Sequence, residues 1–303
     1  KLSKFTSVIS GVGSYLPSEV VDNSKLSEKV ETSDEWIRAR TGIKERRIAA
    51  ENESTSDLAV RAAQSALKDS GFSASDVDLI IVATITPDMA FPSTACLIQH
   101  KLGIPKVASF DIEAACSGFL YALDIADGML RSDRYKCALV VGAEKLSSIM
   151  DWDDRTTCVL FGDGAGAAII SNTGKGPRII GFKCGADGSN PKLLHQPAGG
   201  SLIPASEKSL SDRGHFLKMN GREIFKSAVR VMERAARELL AHHGFSEKDV
   251  DHVIPHQANA RIVESLSQRL DIPLNKFYCN LDRYGNTSAA ASIPIALDEA
   301  RRD

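Results

Sequence analysis

Cys116, His256 and Asn286 are the residues of this chain whose types and positions could carry covalent chemistry. Cys116 follows the apolar run Val107-Ala108-Ser109-Phe110-Asp111-Ile112, which reads as a buried strand. It opens Cys116-Ser117-Gly118-Phe119-Leu120-Tyr121-Ala122-Leu123, which reads as a helix with Phe119, Leu123 and Ala126 at helical spacing. A thiol at a strand-to-helix turn feels the positive end of the helix dipole. That predicts a pKa below the free value of about 8.5 and more thiolate at neutral pH. Ala114, Ala115, Ser117 and Gly118 are small, so a substrate can approach the sulfur. Taken alone, Cys116 also reads as a buried structural thiol, the commoner fate of an unpaired cysteine. His256, in Val253-Ile254-Pro255-His256-Gln257-Ala258-Asn259, stands just past a strand C-terminus, where ligands bind in open α/β sheets. Asn286, in Tyr284-Gly285-Asn286-Thr287-Ser288-Ala289-Ala290, stands where another helix opens. Singly, His256 reads as a hydrogen-bonded structural histidine and Asn286 as a helix N-cap. Three such residues at matched turns point to catalysis.

The turns match because the chain repeats itself. Gly71-Phe72-Ser73-Ala74-Ser75-Asp76-Val77-Asp78 resembles Gly244-Phe245-Ser246-Glu247-Lys248-Asp249-Val250-Asp251, 173 residues later. Arg61-Ala62-Ala63 against Arg234-Ala235-Ala236, and Leu67 against Leu240, keep that offset. Lys101-Leu102-Gly103-Ile104-Pro105 pairs with Arg269-Leu270-Asp271-Ile272-Pro273 at an offset of 168. A helix, turn, strand and helix therefore recur in order. Val77 to Ala83, Leu139-Val140-Val141 and Ala167 to Ile170 are near-continuously apolar, as strands buried on both faces are. The expected architecture is α/β: two halves, 1–174 carrying the cysteine and 175–303 carrying the histidine and asparagine, with mostly parallel sheets between helices. By the same repeat, the last two strands of the second half are expected to be absent from this chain. Packing the halves about a pseudo-twofold axis would bring Cys116 and Asn286 together.

At 303 residues, with 43% apolar and 25% charged residues, the chain has the composition of an ordinary globular protein. A net charge of −2 gives no global electrostatic case for nucleic acid or an anionic membrane. No apolar run reaches the ~18 residues that span a bilayer, and the N-terminus lacks the shape of a signal peptide. The six cysteines (96, 116, 137, 158, 184, 279) show no CxxC pair and no Cys/His ligand spacing, which argues against a zinc site or a disulfide scaffold. Reduced thiols fit a cytoplasmic protein. Phe161-Gly162-Asp163-Gly164-Ala165-Gly166-Ala167 lacks the Lys-Ser/Thr ending of a phosphate loop and runs into a strand, so close strand packing is its expected role.

These segments, with Gly13-Ser14-Tyr15-Leu16-Pro17, Thr32 to Ile37, Arg40-Thr41-Gly42-Ile43 and Ala90-Phe91-Pro92-Ser93, resemble the β-ketoacyl-[acyl-carrier-protein] synthase III family, the initiating condensing enzymes of type II fatty-acid synthesis. The family's fold is thiolase-like, a duplicated, layered αβαβα core. The resemblance implies a ping-pong reaction. Cys116 takes the acyl group of a short acyl-CoA, usually acetyl-CoA. Malonyl-acyl-carrier protein then loses CO2, and the carbanion attacks the acyl-cysteine, with His256 and Asn286 as donors to the thioester oxygen. It implies no metal and no organic cofactor, the CoA thioester being a substrate. Trp36, Arg40 and Arg155 would hold the adenine end of CoA, Asn259, Gly221 and Phe225 would line the pantetheine tunnel, and Phe161 would border the acyl pocket. Phe91 would cross a homodimer interface to close the partner's pocket. Arg261, with Lys226 on the basic face of the helix from about Gly221 to His243, would dock the acidic carrier. A second oxyanion hole would pair the Cys116 amide with a Gly-rich turn in the segment expected to be absent. Three other readings share these residues: a cysteine hydrolase in which Asn orients His, an acyltransferase or secondary-metabolite synthase on the same fold, and a non-catalytic partner protein.

Overall fold

Near-continuous apolar runs become central strands because helices cover both faces of the sheet that holds them. The computed structural model describes residues 7–303, the side chains of 289–291 excepted. In chain order the first half contains β1 (Val8–Tyr15), β2 (Glu19–Asp22), α1 (Asn23–Ser27), α2 (Asp34–Thr41), β3 (Glu45–Ile48), α3 (Thr55–Ser70), β4 (Leu79–Ala83), α4 (Thr94–Lys101), β5 (Ala108–Ile112), α5 (Gly118–Arg131), β6 (Cys137–Glu144) and β7 (Gly164–Ser171). The second half adds β8 (Leu194–His195), α6 (Glu207–Ser211), β9 (Lys218–Met219), α7 (Gly221–His242), α8 (Ala260–Leu270), α9 (Leu281–Tyr284) and α10 (Ser288–Arg302). The main sheet has the order β1-β7-β6-β4-β5, and every residue of β4, β6 and β7 is buried. One face packs on α3 and α4 through Leu58, Ala62, Ala66, Ile98, Ile80 and Leu139. The other packs on α5 and α10 through Phe119, Leu123, Ile293, Ile81 and Val140. Among the described residues no helix is long and apolar enough to cross a membrane.

The sheet is mixed, where the apolar runs suggested a mostly parallel one. β4 is parallel to β5 and β6, but β7 is antiparallel to β6 and β1 antiparallel to β7. The link from β6 to β7 carries only a 3-10 turn at Leu146–Ile149, with no crossover helix to return the chain in parallel.

The repeat is visible in the backbone. Gly71 and Gly244 both end helices in the left-handed region, with φ of 73° and 76°. Each is followed by the same capping box, Ser73 with Asp76 and Ser246 with Asp249. The parallel bridge Val253↔Phe277 reproduces Ile80↔Ser109 of β4 and β5, at the offsets of 173 and 168 read from the sequence. The halves differ in cover. Leu58 on α3 is fully buried beneath the sheet, whereas its counterpart on α7, Val231, is 47% exposed, and where the first half pairs β4 with β5 the described second half has the single bridge Val253↔Phe277. Burial of such a side chain is worth about 1.5–3 kcal/mol, which α7 does not collect at this position.

Candidate active site

Cys116 sits where the sequence places it, on a 3-10 turn (Ala115–Ser117) between β5 and α5, half-buried against the core of Phe119 and Ile254. Ala115 has φ of 41°, a left-handed conformation that disfavours a side chain and costs on the order of 1–3 kcal/mol. Ser288, the first residue of α10, has φ of 60°. Each half therefore has a left-handed residue at the entrance of a helix.

The second bend brings the three candidate residues to one place. Ser288 Oγ lies 4.0 Å from Cys116 Sγ. The Ser288 amide donates to Asn286 Oδ1 at 2.9 Å. With Oδ1 occupied inside its own turn, the Nδ2 hydrogens are the part of Asn286 available to a ligand. One turn further along α10, ~6 Å at 1.5 Å per residue, Ser292 Oγ lies 3.4 Å from His256 Nδ1, which leaves Nε2 on the other side of the ring. Cys116, Asn286 and His256 thus meet through two serines on one face of α10.

Asn286 and His256 are braced by groups that motif reading passed over. The Asn286 amide donates to Leu160 O at 2.8 Å, and Gly162 N donates to Asn286 O at 3.1 Å, so Asn286 extends the edge of the Phe161 segment as a bridge. That segment is gripped by fully buried Arg46, whose guanidinium donates to Val159 O, Asn23 Oδ1 and Val21 O at 2.9–3.0 Å. Burial brings the Arg46 pKa down to about 10, against a smaller upward pull from Cys158, Asp22 and Glu45. Beside His256, fully buried Gln257 accepts from Asn280 N and Leu281 N at 2.7 and 3.1 Å and donates to Tyr278 O at 3.1 Å. This fastens the strand end that carries the histidine to the segment leading to Asn286. The glutamine directly after His256 was the one sequence signal of this brace, and its burial is a fact of the fold.

The binding candidates fall into separate groups. Arg40 and Arg155 place their guanidinium carbons 5.2 and 5.3 Å from the centroid of the Trp36 ring, and Arg155 also donates to Glu31 O at 2.6 Å. An aromatic plane with two cations over it suits a nucleobase and its phosphates. Asn259 caps α8 by accepting from Arg261 N, and its Nδ2 donates to Arg40 O, so both ends of its amide are engaged. Arg261 donates to Ala39 O at 2.8 Å and is otherwise exposed. Phe161 is buried with Leu146, Met150 and Leu217. Phe225 and Lys226 line a surface cleft of about 380 Å³ with Val229, Arg230, Ser265 and Arg269, and Lys226 pairs with Glu223 at 3.0 Å. Gly221 begins α7 with the end of Met219 beside it. Phe91 is 84% exposed and stands away from its own chain's apolar clusters. The glycine run does what close packing requires: a Cβ on Gly166 would lie 2.6 Å from the Pro294 side chain, so its absence lets α10 rest on β7.

A duplicated α/β core with a cysteine at a strained helix entrance, faced by a histidine and an asparagine from the other half, defines the thiolase-fold class. Within it, the description 3-oxoacyl-[acyl-carrier-protein] synthase III matches residues 110–188, and the C-terminal description of the same family matches residues 240–303. A β-ketoacyl-[acyl-carrier-protein] synthase III from Caldanaerobacter subterraneus is 52% identical over 299 residues, 99% of this chain and 90% of that protein. The crystal structure of a 3-oxoacyl-[acyl-carrier-protein] synthase III from Aquifex aeolicus superposes with a TM-score of 0.89 at 50% identity, covering 98% of this chain and 91% of its own. The priming β-ketosynthase of the R1128 polyketide pathway superposes with the same TM-score at 34% identity, covering all of this chain and 90% of its own. The chain belongs to the β-ketoacyl-[acyl-carrier-protein] synthase III family.

Proposed function

We propose that this chain catalyses the decarboxylative Claisen condensation of a short acyl-CoA, acetyl-CoA foremost, with malonyl-acyl-carrier protein, giving a 3-oxoacyl-carrier protein, CoA and CO2. The carrying observation is the meeting of Cys116, Asn286 and His256 on the first two turns of α10. In the first half-reaction the Cys116 sulfur adds to the acyl-CoA carbonyl, the C–S bond to CoA breaks, and CoA leaves as the thiol. In the second, the C–C bond to the malonyl carboxylate breaks and its electron pair becomes an enolate on the thioester. Asn286 Nδ2 and His256 Nε2 donate to that enolate oxygen, a contact that strengthens as charge develops and is worth about 2.7–4 kcal/mol per donor. The enolate carbon then attacks the acyl-cysteine, and the thiolate departs. Departure of CO2 generates the carbanion, so the residues named here act through hydrogen bonds and a sulfur nucleophile alone. CoA lies along Trp36, Arg40 and Arg155, the carrier protein docks near Arg261 and Lys226, and a second copy of the chain covers Phe91 in a homodimer.

The test separates the half-reactions with radiolabelled acetyl-CoA and malonyl-carrier protein. Cys116→Ser should abolish acyl transfer, and iodoacetamide should label Cys116 first unless acetyl-CoA protects it. His256→Ala and Asn286→Ala should keep Cys116 acylation within several-fold while CO2 release falls about 10²–10³-fold. Equal loss of both half-reactions in all three variants would overturn these roles. Acyl transfer without CO2 release from the wild-type chain would identify an acyltransferase instead.

A further inference from the structure

The Glu144 carboxyl is fully buried at the end of β6 and has no part in the reaction above. Its Oε2 accepts from Thr86 Oγ1 at 2.6 Å and from Thr84 Oγ1 at 3.2 Å, and the Ile85 amide donates to both carboxyl oxygens at 3.2 Å. The hydroxyls are themselves held. Thr86 N donates to Thr84 Oγ1 at 3.1 Å, and Lys145 N donates to Thr86 Oγ1 at 2.9 Å. Each threonine oxygen thus accepts from a backbone amide and turns its proton to the carboxyl. One side chain thereby grips three consecutive residues just beyond β4, at a point where Thr84 N also reaches Ile112 O of β5 at 3.3 Å. A satisfied buried network of this kind rigidifies what it touches.

What it touches is the wall of the apolar cluster beside the nucleophile. The Ile85 side chain packs against the cluster of Leu146, Met150, Phe161 and Leu217, and Phe161 is the residue bridged to Asn286. The Glu144 carboxyl is close enough to Cys116 for charge there to act on it.

We propose that Glu144 is a positioning residue for primer selection: by gripping Thr84, Ile85 and Thr86 it sets how far Ile85 projects towards Phe161 and Leu146, and so the acyl length that the Cys116 thioester accommodates. The inference rests on the condensation reading and adds to it a residue that selects the primer without touching it. Burial raises the carboxyl pKa to about 8 against the pull of the hydrogen bonds donated to it, and Glu144→Gln is the isosteric replacement that keeps one accepting oxygen in the network.

The experiment compares the full-length wild type with Glu144→Gln, Glu144→Ala, Thr86→Val and Ile85→Ala. It reads amide hydrogen exchange at residues 84–86 by mass spectrometry, and kcat/KM for acetyl-CoA relative to hexanoyl-CoA. Glu144→Gln should keep both readings within about twofold of wild type. Glu144→Ala and Thr86→Val should speed exchange and lower the acetyl preference by roughly tenfold, the scale at which an apolar pocket discriminates methylenes. Ile85→Ala should lower the preference without the rise in exchange. Faster exchange with an unchanged preference would make Glu144 merely structural, and unchanged exchange in a folded Glu144→Ala would remove the grip altogether. Where Glu144→Ala does not fold, Thr86→Val, which loses the hydroxyl's bonds to Glu144 and from Lys145 N but keeps the carboxyl itself, decides the same two questions. A wild type that fails to release CO2 counts against the condensation reading instead, while the exchange readings still decide the grip.

Discussion

At the scale of single residues, the site rests on groups that hold others still. Asn286 can offer its amide hydrogens to a ligand because Ser288 N occupies its oxygen, and Ser288 can do so because its backbone is forced left-handed. Glu144 shows the cost of such bracing in its titration. An unfolded chain releases this proton at the ordinary value of 4.5, whereas the folded chain keeps it until about 8, chiefly through burial. Between those values the unfolded state binds fewer protons, so stability falls as pH rises and the full penalty is reached above pH 8. The titratable group that acts on it is the Cys116 thiol, while Lys145, next in sequence, turns its ammonium to the carbonyls of Ala50, Glu51 and Glu53. Glu144→Gln has no proton to lose. Relative to it, the wild type should lose up to about 1.4 kcal/mol per pH unit between pH 5 and 8, measured by urea unfolding at a series of pH values. Parallel profiles for the two proteins would contradict the raised pKa.

At the scale of elements, α10 decides the geometry, since the partners of all three candidate residues lie on its first two turns. Its seat is Gly166 on β7, which leaves room for Pro294 and for the Ile295 backbone, 2.6 and 2.9 Å from where a Cβ would be. Gly166→Val should lift the helix off the sheet. We expect about 1–3 kcal/mol of destabilisation from overpacking, and a loss of condensation activity well beyond what the unfolded fraction accounts for. Urea midpoints and turnover measured on the same samples would check this. Full activity in a folded Gly166→Val would mean that the position of α10 is not critical.

At the scale of the whole molecule, the proposed homodimer can be tested at two exposed apolar side chains. Phe91 is 84% exposed and Met89 47%, on the segment that the Glu144 grip leads into. In that proposal a second copy of the chain covers Phe91. Phe91→Asp should convert the protein to monomers in sedimentation velocity at micromolar concentration and should change the acyl-length preference; an unchanged mass in both proteins would rule out this interface. The repeat and the Cys116 turn were legible because helix, glycine stop and capping box are local and recur at a fixed offset. The mixed sheet was not, because strand direction depends on whether a connection crosses over, and apolar runs look alike in either direction. Gln257, Arg46 and Glu144 were missed because a polar residue's burial cannot be read from its neighbours in sequence.

The order of amino acids by itself determined that this protein is two related α/β halves, with a cysteine at one helix entrance and an asparagine at the matching entrance of the other. Those are statements about local backbone preference and spacing, and such preferences act within a few residues. That the two entrances meet was an expectation of pseudo-twofold packing, and only the tertiary structure decided through which groups. Ser288 reaches across 172 residues of chain to Cys116 because a glycine seat on β7 lets α10 settle against the turn that carries the sulfur.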